Sequence, residues 1–108
     1  MVNKTLVTTG LTINSTYIES IESGGYCRIG DFVLVQIRIK RYSSTTEIPA
    51  STTIVTGFPP TKDVAVYLTE SGNNGTIVYI DTSGNMKLQN LATGAGALFF
   101  SGMYLAST

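Results

Sequence analysis

The sequence predicts an all-β fold, an antiparallel β-sandwich of jelly-roll-like form, on three observations. The segment Asp31–Arg41 alternates, with Val33, Val35, Ile37 and Ile39 on one face and Gln36, Arg38 and Lys40 on the other. A period of two belongs to a half-buried strand and not to a helix. Turn-forming clusters recur at intervals of roughly 8–12 residues, as they do in sandwiches and barrels. Thr, Ser, Val, Ile, Tyr and Gly dominate the chain, and no segment reads as a helix of useful length.

In chain order, strands are expected near residues 4–9, 11–14, 16–22 and 25–30, set apart by turn-forming residues. The strand at 31–41 follows. β-Branched side chains make up its inner face and pack well on a pleated surface. Its outer face begins apolar, at Phe32 and Leu34, and turns polar from Gln36 onward, so one end is expected to be covered on both sides. A strand at 51–56 ends at Gly57-Phe58-Pro59-Pro60, where proline cannot donate to a ladder and pushes its predecessor out of the α region.

Strands at 63–70, 75–81 and 86–91 form an antiparallel meander. Its first turn is Ser71-Gly72-Asn73-Asn74-Gly75 and its second is Asp81-Thr82-Ser83-Gly84-Asn85. Gly and Asn reach positive φ at little cost, and Asp81 is placed to bond the turn backbone. Ala92–Ala97 is a flexible, small-residue connection. The last strand, 97–105, is apolar on both faces, with Leu98, Phe100 and Tyr104 on one and Phe99, Met103 and Leu105 on the other, which predicts a central or wedged position. Phe32, Leu34, Phe99 and Met103 are therefore candidates for a subunit interface. The whole chain, 1–108, is expected to form one domain without internal repeats.

At 108 residues a single domain buries roughly 65% of its unfolded surface, enough for a core without disulfides or metal. Seven basic residues balance seven acidic ones, and only 13% of the chain is charged. Nucleic acid and anionic membrane gain little electrostatic support as partners from such a chain. No apolar run approaches the ~20 residues of a membrane span, and no signal peptide is legible at the start. Cys27 is the single cysteine, which excludes an internal disulfide and reads as a small buried hydrophobe. Histidine is absent, and with it the usual general base, zinc ligand and triad partner. An enzyme is not expected, nor a metal or cofactor.

Several local patterns reduce to ordinary structure. The sequons at Asn3, Asn14 and Asn74 are expected by chance in a chain rich in Ser and Thr. The turn Asp81–Asn85 lacks the further acidic ligands of a calcium loop. Glu19 and Glu22, three apart in a strand, should point to opposite faces and so cannot flank one glycosidic bond. Ser71 and Ser101 have no histidine to activate them. The candidates that remain are Tyr67 and Tyr79, which the meander turns the same way, together with Arg38 and Tyr42 at the polar end of the long strand and Asn73 and Asn74 in the first turn. Flat rings beside hydrogen-bonding groups suit a sugar, whose C–H faces stack while its hydroxyls need partners.

The order of features carries a resemblance. Arg28-Ile29-Gly30-Asp31-Phe32-Val33 fits a "Lys/Arg-x-Gly-(Asn/Asp)-x-Val" strand opening. Ile48-Pro49-Ala50 and the turn Thr56-Gly57-Phe58-Pro59-Pro60, with its "Gly-(Tyr/Phe)-x-Pro", come next. A "Gly-x-(Ile/Leu)"-type hairpin at Gly84-Asn85-Met86 and the closing strand Leu98–Tyr104 complete the series. Over residues 25–105 the chain resembles the C-terminal head domains of bacteriophage tail-fibre, baseplate and receptor-binding proteins. Residues 1–24, read as N-terminal strands, match no named family. The resemblance implies a homotrimeric β-sandwich head at the tip of a virion or phage-tail-like particle, made in the host cytoplasm without a signal peptide. It further implies adhesion to a bacterial surface polysaccharide. Two other readings stay open: a purely structural virion module, or a carbohydrate-binding module of a secreted bacterial enzyme. The latter usually presents a flat tryptophan-bearing face, and this chain has no tryptophan.

Overall fold

Ten strands and no helix make up the regular structure of the computed structural model, which describes residues 5–70 and 76–107. In chain order they are β1 (Thr12–Ile13), β2 (Ile18–Ile29), β3 (Phe32–Arg41), β4 (Glu47–Ile48), β5 (Thr53–Thr56), β6 (Val66–Glu70), β7 (Val78–Ile80), β8 (Met86–Leu88), β9 (Ala92–Thr93) and β10 (Ala97–Leu105). Eight of them form one sheet in the order β1-β5-β8-β7-β6-β10-β3-β2, and β4 pairs with β9 as a separate ribbon. Every pairing is antiparallel. The class agrees with the sequence. The layering differs: a single sheet curls into a nearly closed barrel where two separate sheets were expected.

β3 and β10 explain that shape. Val33, Val35, Ile37 and Ile39 are fully buried, and β10 runs alongside them for nine consecutive pairs, from Ala97–Lys40 to Leu105–Phe32. β10 also pairs with β6 through Phe100–Glu70 and Ser101–Thr69. It is therefore a central strand, as its two apolar faces predicted, and it joins the β2–β3 hairpin to the β6–β7–β8 meander. Leu98 and Phe100 point inward and are fully buried; Phe99, Met103 and Leu105 point outward and are exposed.

β2 corrects the sequence reading in two respects. The expected break at residues 23–24 does not exist, because Ser23, Gly24 and Gly25 pair with Arg38, Ile37 and Gln36 inside one strand. Gly24 has φ 78°, and a Cβ there would collide with the Gln36 carbonyl. A Cβ on Gly25 would strike the Val7 carbonyl. That close approach all but closes the barrel: Val7 N–H donates to the Tyr26 carbonyl at 2.8 Å, and the Val7 carbonyl accepts from Tyr26 N–H at 3.0 Å. The second correction concerns a repeat. Ile18-Glu19-Ser20 recurs as Ile21-Glu22-Ser23, and the pairing with β3 shifts register once in each copy. A bulge adds one residue, so two positions three apart reach the same face. Glu19 and Glu22 therefore both lie outside, bound to Lys40 at 3.0 Å and Arg38 at 2.6 Å. The Glu19 carboxylate holds the Lys40 pKa above its ordinary value.

The two barrel ends are closed differently. At one, the hydroxyl of buried Tyr104 donates to the Pro59 carbonyl at 2.7 Å. Burial pushes its pKa well above the ordinary tyrosine value. The Gly57–Pro60 segment contains no strand, in line with its prolines. At the other end the β4–β9 ribbon buries Ile48 and Ala92, so β9 is a strand where residues 92–97 were expected to be only a flexible connection. Arg41 holds the loop beside it. The alternation of β3 carries Arg41 inward, where it is 2% exposed. Its guanidinium donates to the carbonyls of Thr93 at 2.8 Å, Ala95 at 2.8 Å and Gly96 at 3.1 Å. Desolvation lowers its pKa, and the nearby Glu70 carboxylate opposes that shift. A planar fork of donors suits three diverging carbonyls in a way an ammonium does not. Arg41→Met should cost about 2–4 kcal/mol, since burial is kept and charge-assisted bonds are lost. Arg41→Lys should recover less than half of that, as read from urea unfolding midpoints.

Candidate functional site

The outward positions of the meander come into register. Tyr67 on β6 pairs with Tyr79 on β7, and Tyr79 pairs with Lys87 on β8. Their inward neighbours Leu68, Val78, Ile80, Met86 and Leu88 are buried, which fixes the outward direction of the three. The rings of Tyr67 and Tyr79 meet edge to face, with centroids 5.6 Å apart and planes at 66°. Such a contact is worth about 0.5–1.5 kcal/mol beyond area burial. Tyr67 is 59% exposed, and its hydroxyl donates to Gln89 Oε1 at 3.3 Å. The pair therefore offers an accessible aromatic surface with an amide and an ammonium beside it.

The second meander turn sets the register of this row. Asp81 Oδ1 accepts from the N–H groups of Ser83 at 2.9 Å and Asn85 at 3.0 Å. The turn closes with Asp81 N–H donating to the Asn85 carbonyl at 3.0 Å. Gly84 takes φ 82° there, and a Cβ on it would meet the Phe58 carbonyl. Asp81 Oδ2 faces Lys87 Nζ at 3.4 Å, which orients the ammonium beside Tyr79. Burial by itself would raise the Asp81 pKa. The bonds from Asn85 and Ser83 and the Lys87 charge outweigh burial and bring it below 3.8, its ordinary value.

The other sequence candidates are distributed around the barrel. Arg38 lies on the outer face of β3, separated from β6 by β10, and is engaged by Glu22. Lys40 is likewise engaged by Glu19, so both cations of this face are ion-paired. Tyr42 is half-buried just beyond β3, its carbonyl accepting from Thr45 N–H. Asn73 and Asn74 lie outside the described residues, as do the sequon at Asn3 and Ser71. Of the interface candidates, Phe32, Leu34 and Met103 converge on one outer region and Phe99 does not. Phe32 pairs with Ile29 and Leu105, and Leu34 pairs with Cys27 and Met103. Phe99 sits opposite Arg38 in the polar half of the face. Phe32 is 48% and Met103 53% exposed. Leu105, on the outer apolar face expected for the last strand, extends the same region, and so does Ile29, which the sequence did not single out.

Lys87 and Gln89 also went unnoticed. Counting outward from the turn 81–85 would have found Lys87, because a five-residue turn between Ile80 and Met86 sets Tyr79 opposite it. Comparison with known proteins adds no assignment: no family model, curated protein or solved structure matches the chain.

A depressed carboxylate pKa contributes stability above the unfolded pKa, and that contribution is lost as pH falls through the folded value. Asp81→Asn should therefore cost about 1 kcal/mol at neutral pH and flatten the loss of stability between about pH 5 and pH 2. Urea titrations of both proteins across that window check it; parallel acid limbs would show that Asp81 does not anchor the turn.

Proposed function

We propose that the chain is the non-enzymatic receptor-binding head of a bacteriophage or phage-tail-like particle. In this reading it is a β-rich head that assembles as a homotrimer and holds saccharide of the bacterial surface. The Tyr67–Tyr79 pair, with Tyr67 exposed, Tyr79 half-buried and Gln89 and Lys87 beside it, carries the reading. A sugar stacks its C–H face on an aromatic ring and needs donors and acceptors around the rim. One shallow platform of this kind binds weakly, and three copies on a particle multiply the effect by effective concentration.

The outer apolar region supports the assembly. Ile29, Phe32 and Leu105 form one cross-strand row of exposed side chains, and Met103, paired with half-buried Leu34, continues it in the next. Contiguous exposed apolar surface of this sort marks interaction sites, and closed symmetric oligomers are the common way to cover it. The charged half of the same face is internally neutralised by the Arg38–Glu22 and Lys40–Glu19 pairs, which suits a solvated surface.

Light scattering at micromolar concentration should give a trimer. Phe32→Ser should shift it toward monomer by at least tenfold in association constant, about the effect of one buried anchor, while Arg38→Ser should leave it assembled. A stable parent monomer would count against the oligomer. A glycan array probed with the parent protein should show saccharide binding that Tyr67→Ala weakens. A purely structural module would bind nothing on the array.

A further inference from the structure

The row of the tyrosine pair does not stop at β8. Lys87 pairs with Thr53 on β5, so Tyr67, Tyr79, Lys87 and Thr53 occupy successive outward positions on four adjacent strands. At about 4.8 Å per strand the row is ~15 Å long, longer than one pyranose ring. Thr53 also lines a cavity of about 240 Å³ with Thr12, Ile13, Asn14, Ile54 and Thr56. The cavity lies where β5 shifts register between Thr53 and Val55, a bulge that leaves both Ile54 and Val55 buried. Asn14 braces it, its side-chain amide donating to the Thr53 carbonyl at 2.9 Å and its Oδ1 accepting from Thr16 N–H at 3.2 Å.

The chemistry along this path is uniform. Thr12, Thr53 and Thr56 bring hydroxyls that both donate and accept, together with methyl groups, and Ile13 and Ile54 add apolar surface. Lys87, the path's one cation, is compensated by Asp81. A charged chain would find no uncompensated partner here, whereas an uncharged, hydroxyl-rich one finds C–H contacts and hydrogen-bonding groups at each step. We infer that the binding surface is an extended cleft for a linear, uncharged polysaccharide segment of two or more rings, which runs from the Tyr67–Tyr79 pair across Lys87 into the threonine-lined cavity. The inference rests on the saccharide-binding reading above and adds the length, the direction and the charge of the ligand.

The test uses the full chain and an array of linear uncharged oligosaccharides of one to six residues, with sulfated and uronic-acid chains alongside. The best binder's length series is then titrated by calorimetry. Affinity should rise at least tenfold, or ~1.4 kcal/mol, from one ring to four. Thr56→Trp, which fills the cavity, should remove most of that gain and leave the one-ring affinity unchanged, while Tyr67→Ala should weaken both. Thr53→Val, which keeps shape and removes one hydroxyl, should lower long-chain affinity about threefold and guards against a folding defect in the larger substitution. Length-independent binding, or long-chain binding indifferent to both threonine variants, overturns the extended cleft while leaving the tyrosine site standing. Preference for the anionic chains overturns the uncharged ligand. No binding to any glycan overturns the saccharide reading and the cleft together.

Discussion

Val33, Val35, Ile37 and Ile39 are each wholly buried, and β3 is paired along both edges, to β2 and to β10. A slip of one residue would turn all four outward and bring Leu34, Gln36, Arg38 and Lys40 into the core. Each lost aliphatic burial costs about 1.5–3 kcal/mol and each unpaired buried charge more, so the slip would exceed the stability of an ordinary domain. Every other register is referred to this one. β10 is aligned on it for nine pairs, β6 is aligned on β10, and the meander follows through β7 and β8 to β5.

The same constraint explains the bulges of β2. Ile18 pairs with Arg41 and Ile21 with Ile39, so two residues three apart must both face inward against partners only two apart. One extra residue in the strand resolves the mismatch, and in each copy that residue is a glutamate placed over a basic side chain of β3. The bulges also coil the strand. Coiling brings the far edge of β2 round toward the N-terminal segment, where Gly25 admits the Val7 carbonyl and the sheet nearly closes.

What could be read from sequence was what depends on near neighbours. The alternation of β3, the two-faced apolar character of β10, the Asp81 turn and the shared direction of Tyr67 and Tyr79 are all set within one strand or across one short turn. What escaped depends on distant segments. Gly24 and Gly25 look like a turn until the backbone that lies against them is known. Glu19 and Glu22 look opposed because strict alternation hides a bulge. Arg41 is the next inward position after Ile39, yet its charge argues for the surface unless the three carbonyls of residues 93–96 are in place. The cavity at Thr53 arises from a register shift between β5 and β8 that no local pattern announces.

The outer surface follows from the inner one. Because Leu34 pairs with Met103 and Ser101 with Thr69, continuing the antiparallel register sets Met103 beside Tyr67. Gly102 between them leaves room for Leu68, whose side chain a Cβ there would strike. A single cross-strand row thus passes from Leu34 through Met103 to Tyr67, Tyr79, Lys87 and Thr53. Its composition changes along the way from aliphatic to aromatic to hydroxyl-bearing. The step from Met103 to Tyr67 is the boundary between an aliphatic surface and one that carries aromatic and hydrogen-bonding groups. A subunit seated on Leu34 and Met103 would border Tyr67, so assembly and ligand binding would share one edge. That adjacency is a property of the β3–β10–β6 register and would be lost with any shift in it.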